Sequence, residues 1–286
     1  MRGLALALLM GLAGATLPAP APARAPAPAP GPAAPVDAFP DVARAYWVEV
    51  NGSPLWAGGR DLRLPMASLA KLMTALLLAE EATLDDELVV SAAAARATGS
   101  RIGLRAGERM RASDLFDAML VRSANDACRA LADWHGGDLP RFVARMNARA
   151  AELGLRDTSF ANACGHDAPG QASTVGDLAV LARAAMAEPR IAATVAKSRV
   201  EFRSPGGRDF KMDTTNALLQ QFEGALGIKT GYTPGAGRCL VALARRGEDE
   251  VLVVMLHAPD RWWDTVALME LAFDHARRAR ARAPTP

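Results

Sequence analysis

Lysine is scarce in this chain: of 33 basic residues among 286, only Lys71, Lys197, Lys211 and Lys229 are lysines. Arginine supplies the ordinary positive charge. A lysine inside an apolar run therefore marks a need for an amine, which can lose its proton where a guanidinium cannot. Cysteine is scarcer still. Cys128, Cys164 and Cys239 are too few and too widely spaced for a disulfide framework; an exported protein could hold one bridge, but buried thiols are the expectation. The histidines His135, His166, His257 and His275 form no close pair and no His-Glu-x-x-His pattern, which disfavours a zinc peptidase. A formal charge of +2 leaves no basic excess for nucleic acid. No segment beyond the leucine- and alanine-rich start is long and apolar enough to be transmembrane.

That start carries Arg2, a short apolar stretch and then small residues, so residues 1–25 are expected to be a secretory signal peptide, cleaved after Ala15 or Ala25. Pro18 to Pro35 is a proline and alanine tract with no hydrophobic period, and residues 26–38 are expected to remain as a disordered linker. The folded domain is expected over 39–286. Arg277, Arg278, Arg280 and Arg282 read as a solvated helix end.

Arg44–Val50 and Pro54–Ala57, separated by Asn51-Gly52-Ser53, predict a β-hairpin. Residues 68–82 predict a helix apolar on almost every side and hence buried. Helical periods follow at Ser113–Val121, Asp126–Trp134, Arg141–Leu153 and Thr174–Ala187. Strand signals return at Arg199–Arg203, Ala225–Tyr232, Arg238–Ala244 and Val251–His257, with turns at Thr233-Pro234-Gly235 and Gly247-Glu248-Asp249. A last helix is predicted over Trp262–Arg278. The fold class is α/β in the α+β sense: an antiparallel sheet built from both chain ends, flanked by helices, with an inserted, mostly helical lobe.

Ser68 lies three residues before Lys71, on the same helical face. Burial among Leu72, Leu76 and Leu78 disfavours the ammonium form, and a neutral amine beside a hydroxyl can take its proton to make a nucleophile. A snorkelling lysine is the bland alternative, and Ser-x-x-Lys is expected by chance about 0.14 times in a chain of this composition. Two further groups bear on the choice. Ser123-Ala124-Asn125 falls between two helices, where it either faces a cleft or caps the second helix. Lys229-Thr230-Gly231 falls in a strand, where it is either an ordinary strand end or a site whose glycine admits a ligand backbone.

With all three motifs in order, the chain resembles the serine D,D-peptidases, the penicillin-binding proteins of low molecular mass and the β-lactamase/transpeptidase-like fold. The likeness extends to Phe160-Ala161-Asn162 with Gly165, to Ser173-Thr174 with Asp177-Leu178, and to Gly227–Thr233 with Ala236-Gly237. The resemblance implies that Ser68 attacks the penultimate D-alanine carbonyl of a peptidoglycan stem peptide with Lys71 as general base. It also implies that Ser123 relays a proton to the leaving amine and that Asn125 binds the substrate amide and holds Lys71. The resemblance further implies that Lys229 and Thr230 bind the terminal carboxylate, that the N–H groups of Ser68 and Tyr232, beside Gly231, form the oxyanion hole, and that no metal or organic cofactor is needed. Penicillins and other β-lactams are expected as covalent inhibitors, and an extracytoplasmic or periplasmic place of work is implied. Two details depart from the family: alanine precedes Lys71 where threonine is common, and His166 stands where leucine is frequent.

A class A β-lactamase would need Glu-x-x-Leu-Asn between the second and third motifs, and none of Glu152, Glu188, Glu201 or Glu223 has asparagine four residues on. A non-catalytic wall-binding module is opposed by intact Ser68, Lys71, Ser123 and Lys229. The sequence leaves open D,D-carboxypeptidase against D,D-endopeptidase, since about 55 residues follow Lys229 and this short form occurs in both.

Overall fold

The structure, a computed structural model, describes residues 39–282. The expected signal peptide at 1–25 and linker at 26–38 lie outside the described residues. In chain order the elements are β1 (Ala45–Val50), β2 (Ser53–Gly58), a single 3-10 turn (Ala67–Ala70), α1 (Lys71–Glu81), β3 (Glu87–Val89), α2 (Ala92–Ala95), β4 (Arg109–Arg111) and α3 (Ala112–Val121). There follow α4 (Asn125–Gly136), α5 (Leu139–Glu152), α6 (Val175–Ala187), α7 (Pro189–Val195), β5 (Arg199–Arg203), β6 (Asp209–Asp213), α8 (Leu218–Gln221), β7 (Ala225–Thr233), β8 (Gly237–Arg246), β9 (Asp249–Ala258) and α9 (Arg261–Arg282).

The sheet is antiparallel, in the order β2-β1-β9-β8-β7. It joins the two chain ends through β1 and β9, with Val48 opposite Val253. Its central strands are apolar on both faces because both faces are covered. Leu240, Ala242, Val253 and Met255 pack with Leu268, Met269 and Phe273 of α9, while Val241, Leu243, Leu252 and Val254 belong to the core shared with the helical lobe. This is the period of two of a strand, with each face meeting its own layer.

α1 is the axis of that lobe. Lys71 to Leu78 are all buried, as the all-round apolar pattern predicts. Truncating Leu76, Leu77 or Leu78 to alanine should cost about 2–5 kcal/mol. The strand expected at Arg199–Arg203 forms, but it does not join the sheet: it pairs with β6 in a separate ribbon whose Phe210 and Met212 turn inward while Asp209, Lys211 and Asp213 stay exposed. β7 is an edge strand, and the 3-10 turn that carries Ser68 packs against it and β8.

Candidate active site

The helix expected from residue 68 begins instead as the 3-10 turn, with α1 proper starting at Lys71. The i, i+3 relation survives, and Lys71 Nζ is 2.9 Å from Ser68 Oγ. Lys71 is fully buried and does not snorkel. Nζ also donates to Asn125 Oδ1 at 2.7 Å and to the carbonyl oxygen of Cys164 at 2.5 Å. Burial, and then the charge of Lys229, hold its pKa well below that of an ordinary lysine. Nζ thus has three oxygen partners, Ser68 Oγ among them; in its neutral form the amine has two protons for the two carbonyl oxygens and a lone pair for the Ser68 hydroxyl.

Ser123 and Asn125 do not cap α4. Ala124 is the N-cap and makes no side-chain bond. Ser123 holds a left-handed φ of 61°, rare outside glycine and costly, and its Oγ accepts from Lys229 Nζ at 2.8 Å. Asn125 Nδ2 donates to Thr98 O at 2.6 Å, which fixes the amide with its oxygen towards Lys71. Ala67, directly before Ser68, is likewise left-handed, at 49°.

Lys229 and Thr230 are buried, not an ordinary strand end. Burial, and then Arg261, lower the Lys229 pKa to about 7. Thr230 Oγ1 is 2.7 Å from Thr215 Oγ1. Gly231 lines the cavity and also packs on the turn that carries Ser68: a Cβ there would lie 3.0 Å from Ala67 Cβ and 3.1 Å from Ser68 N. Tyr232 is exposed at the mouth. Ser68, Ser123, Asn125, Thr230 and Tyr232 line one cavity of about 530 Å³. Among the described residues no glutamate lines it; His166, Asp167, Tyr232 and Arg261 are its titratable walls. Burial lowers the His166 pKa, and its Nε2 stands 3.3 Å from Asn125 Nδ2.

Phe160-Ala161-Asn162 builds the loop that delivers the Cys164 carbonyl. Asn162 Oδ1 accepts from the backbone N–H groups of Cys164, Gly165 and His166 at 3.2, 2.8 and 3.0 Å. Gly165, at φ 87°, has no room for a Cβ, which would fall 2.0 Å from Ala67 O. The Ser173-Thr174 segment instead caps α6 from a distance, with Thr174 Oγ1 accepting from Asp177 N.

The expectation of three buried thiols is overturned: Cys128 and Cys164 form a disulfide with their Cα atoms 5.9 Å apart, within ordinary bridging range. Wide spacing in the chain does not oppose this, because α4 and the loop at 160–166 both close on Lys71. Cys239 alone stays free, its thiol pushed up to about 11 by burial. Arg261 and Thr215 escape sequence reading. Arg261 donates to Gly231 O at 2.8 Å, while its Nε is buried without a partner. Its one local signal is a cation in the first turn of a helix, where the dipole disfavours it.

Residues 44–260 match the profile of the D-alanyl-D-alanine carboxypeptidase family. The D-alanyl-D-alanine carboxypeptidase DacB2 of Mycobacterium tuberculosis is 34% identical over 245 residues, 82% of this chain and 84% of that one. DacC of Escherichia coli is also 34% identical, over 77% of this chain but only 58% of its own length. The chain thus spans little more than half of some of its curated relatives. Among solved structures, the DD-transpeptidase of a Streptomyces strain superposes with a TM-score of 0.76 at 27% identity, covering 82% of this chain and 98% of that one.

Proposed function

The chain belongs to the D-alanyl-D-alanine carboxypeptidase family, and from that premise we propose that it is a serine D-alanyl-D-alanine carboxypeptidase acting on peptidoglycan stem peptides through an acyl-enzyme on Ser68. The observation that carries this is the buried Lys71, with Nζ 2.9 Å from Ser68 Oγ and bonded to two carbonyl oxygens, a placement in which the neutral amine turns its lone pair to the Ser68 hydroxyl.

In the reaction, the terminal carboxylate of the substrate meets Lys229, the Thr230 and Thr215 hydroxyls, and Arg261. Ser68 Oγ forms a bond to the penultimate D-alanine carbonyl carbon while its proton passes to Lys71 Nζ. The N–H groups of Ser68 and Tyr232 hold the oxyanion, a charge present only in the transition state and the intermediate. Collapse breaks the peptide C–N bond, and the leaving nitrogen takes a proton through Ser123, whose hydroxyl Lys229 orients. Water then cleaves the ester. Penicillins carry a carboxylate and a strained amide in the same relation and acylate Ser68 by the same steps. Among the described residues the cavity has no glutamate of the kind that activates the deacylating water of a class A β-lactamase, so the adduct is expected to turn over slowly. An extracytoplasmic site of action is supported by the Cys128–Cys164 bridge, a linkage that persists in oxidising compartments.

Intact-protein mass after incubation with penicillin tests the assignment. One adduct on the wild type and none on Ser68→Ala is expected, and an adduct that survives Ser68→Ala sinks it. Muropeptide digests read by mass spectrometry should show loss of a single terminal D-alanine. Crosslink cleavage without that loss would reassign the enzyme as an endopeptidase.

A further inference from the structure

The two acceptors that orient Lys71 come from unconnected segments. Asn125 Oδ1 belongs to the first residue of α4, and the other oxygen is the carbonyl of Cys164 itself. The disulfide joins these two segments and nothing else: Cys128 lies one turn along α4 from Asn125, and its partner Cys164 carries the second acceptor. Both cysteines are buried. α4 has no side-chain cap to hold its first turn, and it is anchored there by Asp126, which accepts from the N–H groups of Ile102, Gly103 and Leu104. The next residue of the loop, Gly165, lies so near the Ser68 turn that a Cβ on it would fall 2.0 Å from Ala67 O and 2.8 Å from Ser68 N, so the same loop also packs on the nucleophile.

We propose that the Cys128–Cys164 bridge is a positioning element of the catalytic base, fixing the angle between the two carbonyl acceptors and thereby the direction in which Lys71 presents its lone pair to Ser68. Acylation is then coupled to the oxidation state of this pair. The inference rests on the assignment of Ser68 and Lys71 given above. Opening the bridge takes up two electrons and two protons and yields two thiols; dithiothreitol supplies both and closes to its own cyclic disulfide.

The test compares the full chain oxidised, reduced by dithiothreitol with the two thiols counted, and as Cys128→Ala/Cys164→Ala, all with penicillin as acylating agent. With the acceptors loosened, the Lys71 ammonium is better solvated. The acid limb of the acylation rate should therefore move about one unit to higher pH, and the rate below that limb should fall about tenfold. For a D-alanyl-D-alanine peptide, kcat should fall while KM stays within about twofold. A bridge that merely staples the fold would lower the melting temperature but leave the limb in place. Superimposed pH profiles with rates within about twofold overturn the inference, as does loss of the folded circular-dichroism spectrum in both bridge-free forms. Failure of the oxidised wild type to acylate at all would bring down the assignment of Ser68 as well, and so is told apart from failure of this inference alone.

Discussion

Lys71→Arg separates charge from basicity at the centre of the site. The arginine keeps a cation at the head of α1 but brings five N–H donors and no lone pair to a space bounded by Ser68 Oγ, Asn125 Oδ1 and Cys164 O. It can satisfy the two carbonyl oxygens; it cannot take the serine proton. A positioned general base is worth roughly 10²–10⁴ in rate, so penicillin acylation should fall about a thousandfold, or about 4 kcal/mol of transition-state stabilisation. The assay is the second-order rate of adduct formation followed by intact mass, with circular dichroism confirming that the variant is folded. If Lys71 served only to hold positive charge near the carbonyl, Lys71→Arg would acylate within tenfold of the wild type, and that result refutes the reasoning.

Three further outcomes follow from the same geometry. For the free enzyme, kcat/KM on a D-alanyl-D-alanine peptide should rise from acid as Lys71 loses its proton and decline above about pH 7 as Lys229 loses the charge that binds carboxylate; a profile flat into alkali contradicts the assignment. Stability carries the opposite signature. The folded pKa of Lys229 lies below the unfolded value of 10.5, so as pH falls from there to about 7 the unfolded chain takes up a proton that the folded one refuses, and stability drops by up to about 1.4 kcal/mol per unit. Urea unfolding of Lys229→Met should show a shallower slope across that range, and equal slopes would refute the burial argument. Gly165→Ala, which drives a Cβ against Ala67 O at a left-handed φ, should lose several degrees of melting temperature together with most acylation, whereas normal acylation would show that the loop does not bear on the nucleophile.

Much of this was open to reading from residue order. The apolar run around Lys71, the break between two helical periods at Ser123–Asn125 and the glycine-closed strand at Lys229–Gly231 are local patterns, and the structure brings them to one cavity. The three-residue ribbon of β3 and β4 is too short to leave a period, and β6 hides its inward Phe210 and Met212 among charges. The Cys164 carbonyl is invisible for a different reason: a backbone oxygen has no letter in a sequence, and its role depends on where Asn162 folds the loop. Arg261 was hidden among many arginines, since its neighbour Gly231 is remote in the chain.

The pairing of β1 with β9 has a consequence for the time course of folding. Val48 and Val253 meet across a sequence gap on the order of 200 residues, the kind of contact that makes folding slow and late. β7, which carries Lys229, enters the sheet through β8, which is itself held by β9, so the cavity cannot close until nearly the whole domain has been synthesised. Until then Lys71 is hydrated and protonated, and Ser68 is an ordinary serine. Under the proposed mechanism Ser68 gains its reactivity only when these late contacts are made, and an unfinished chain is expected to show no hydrolase activity.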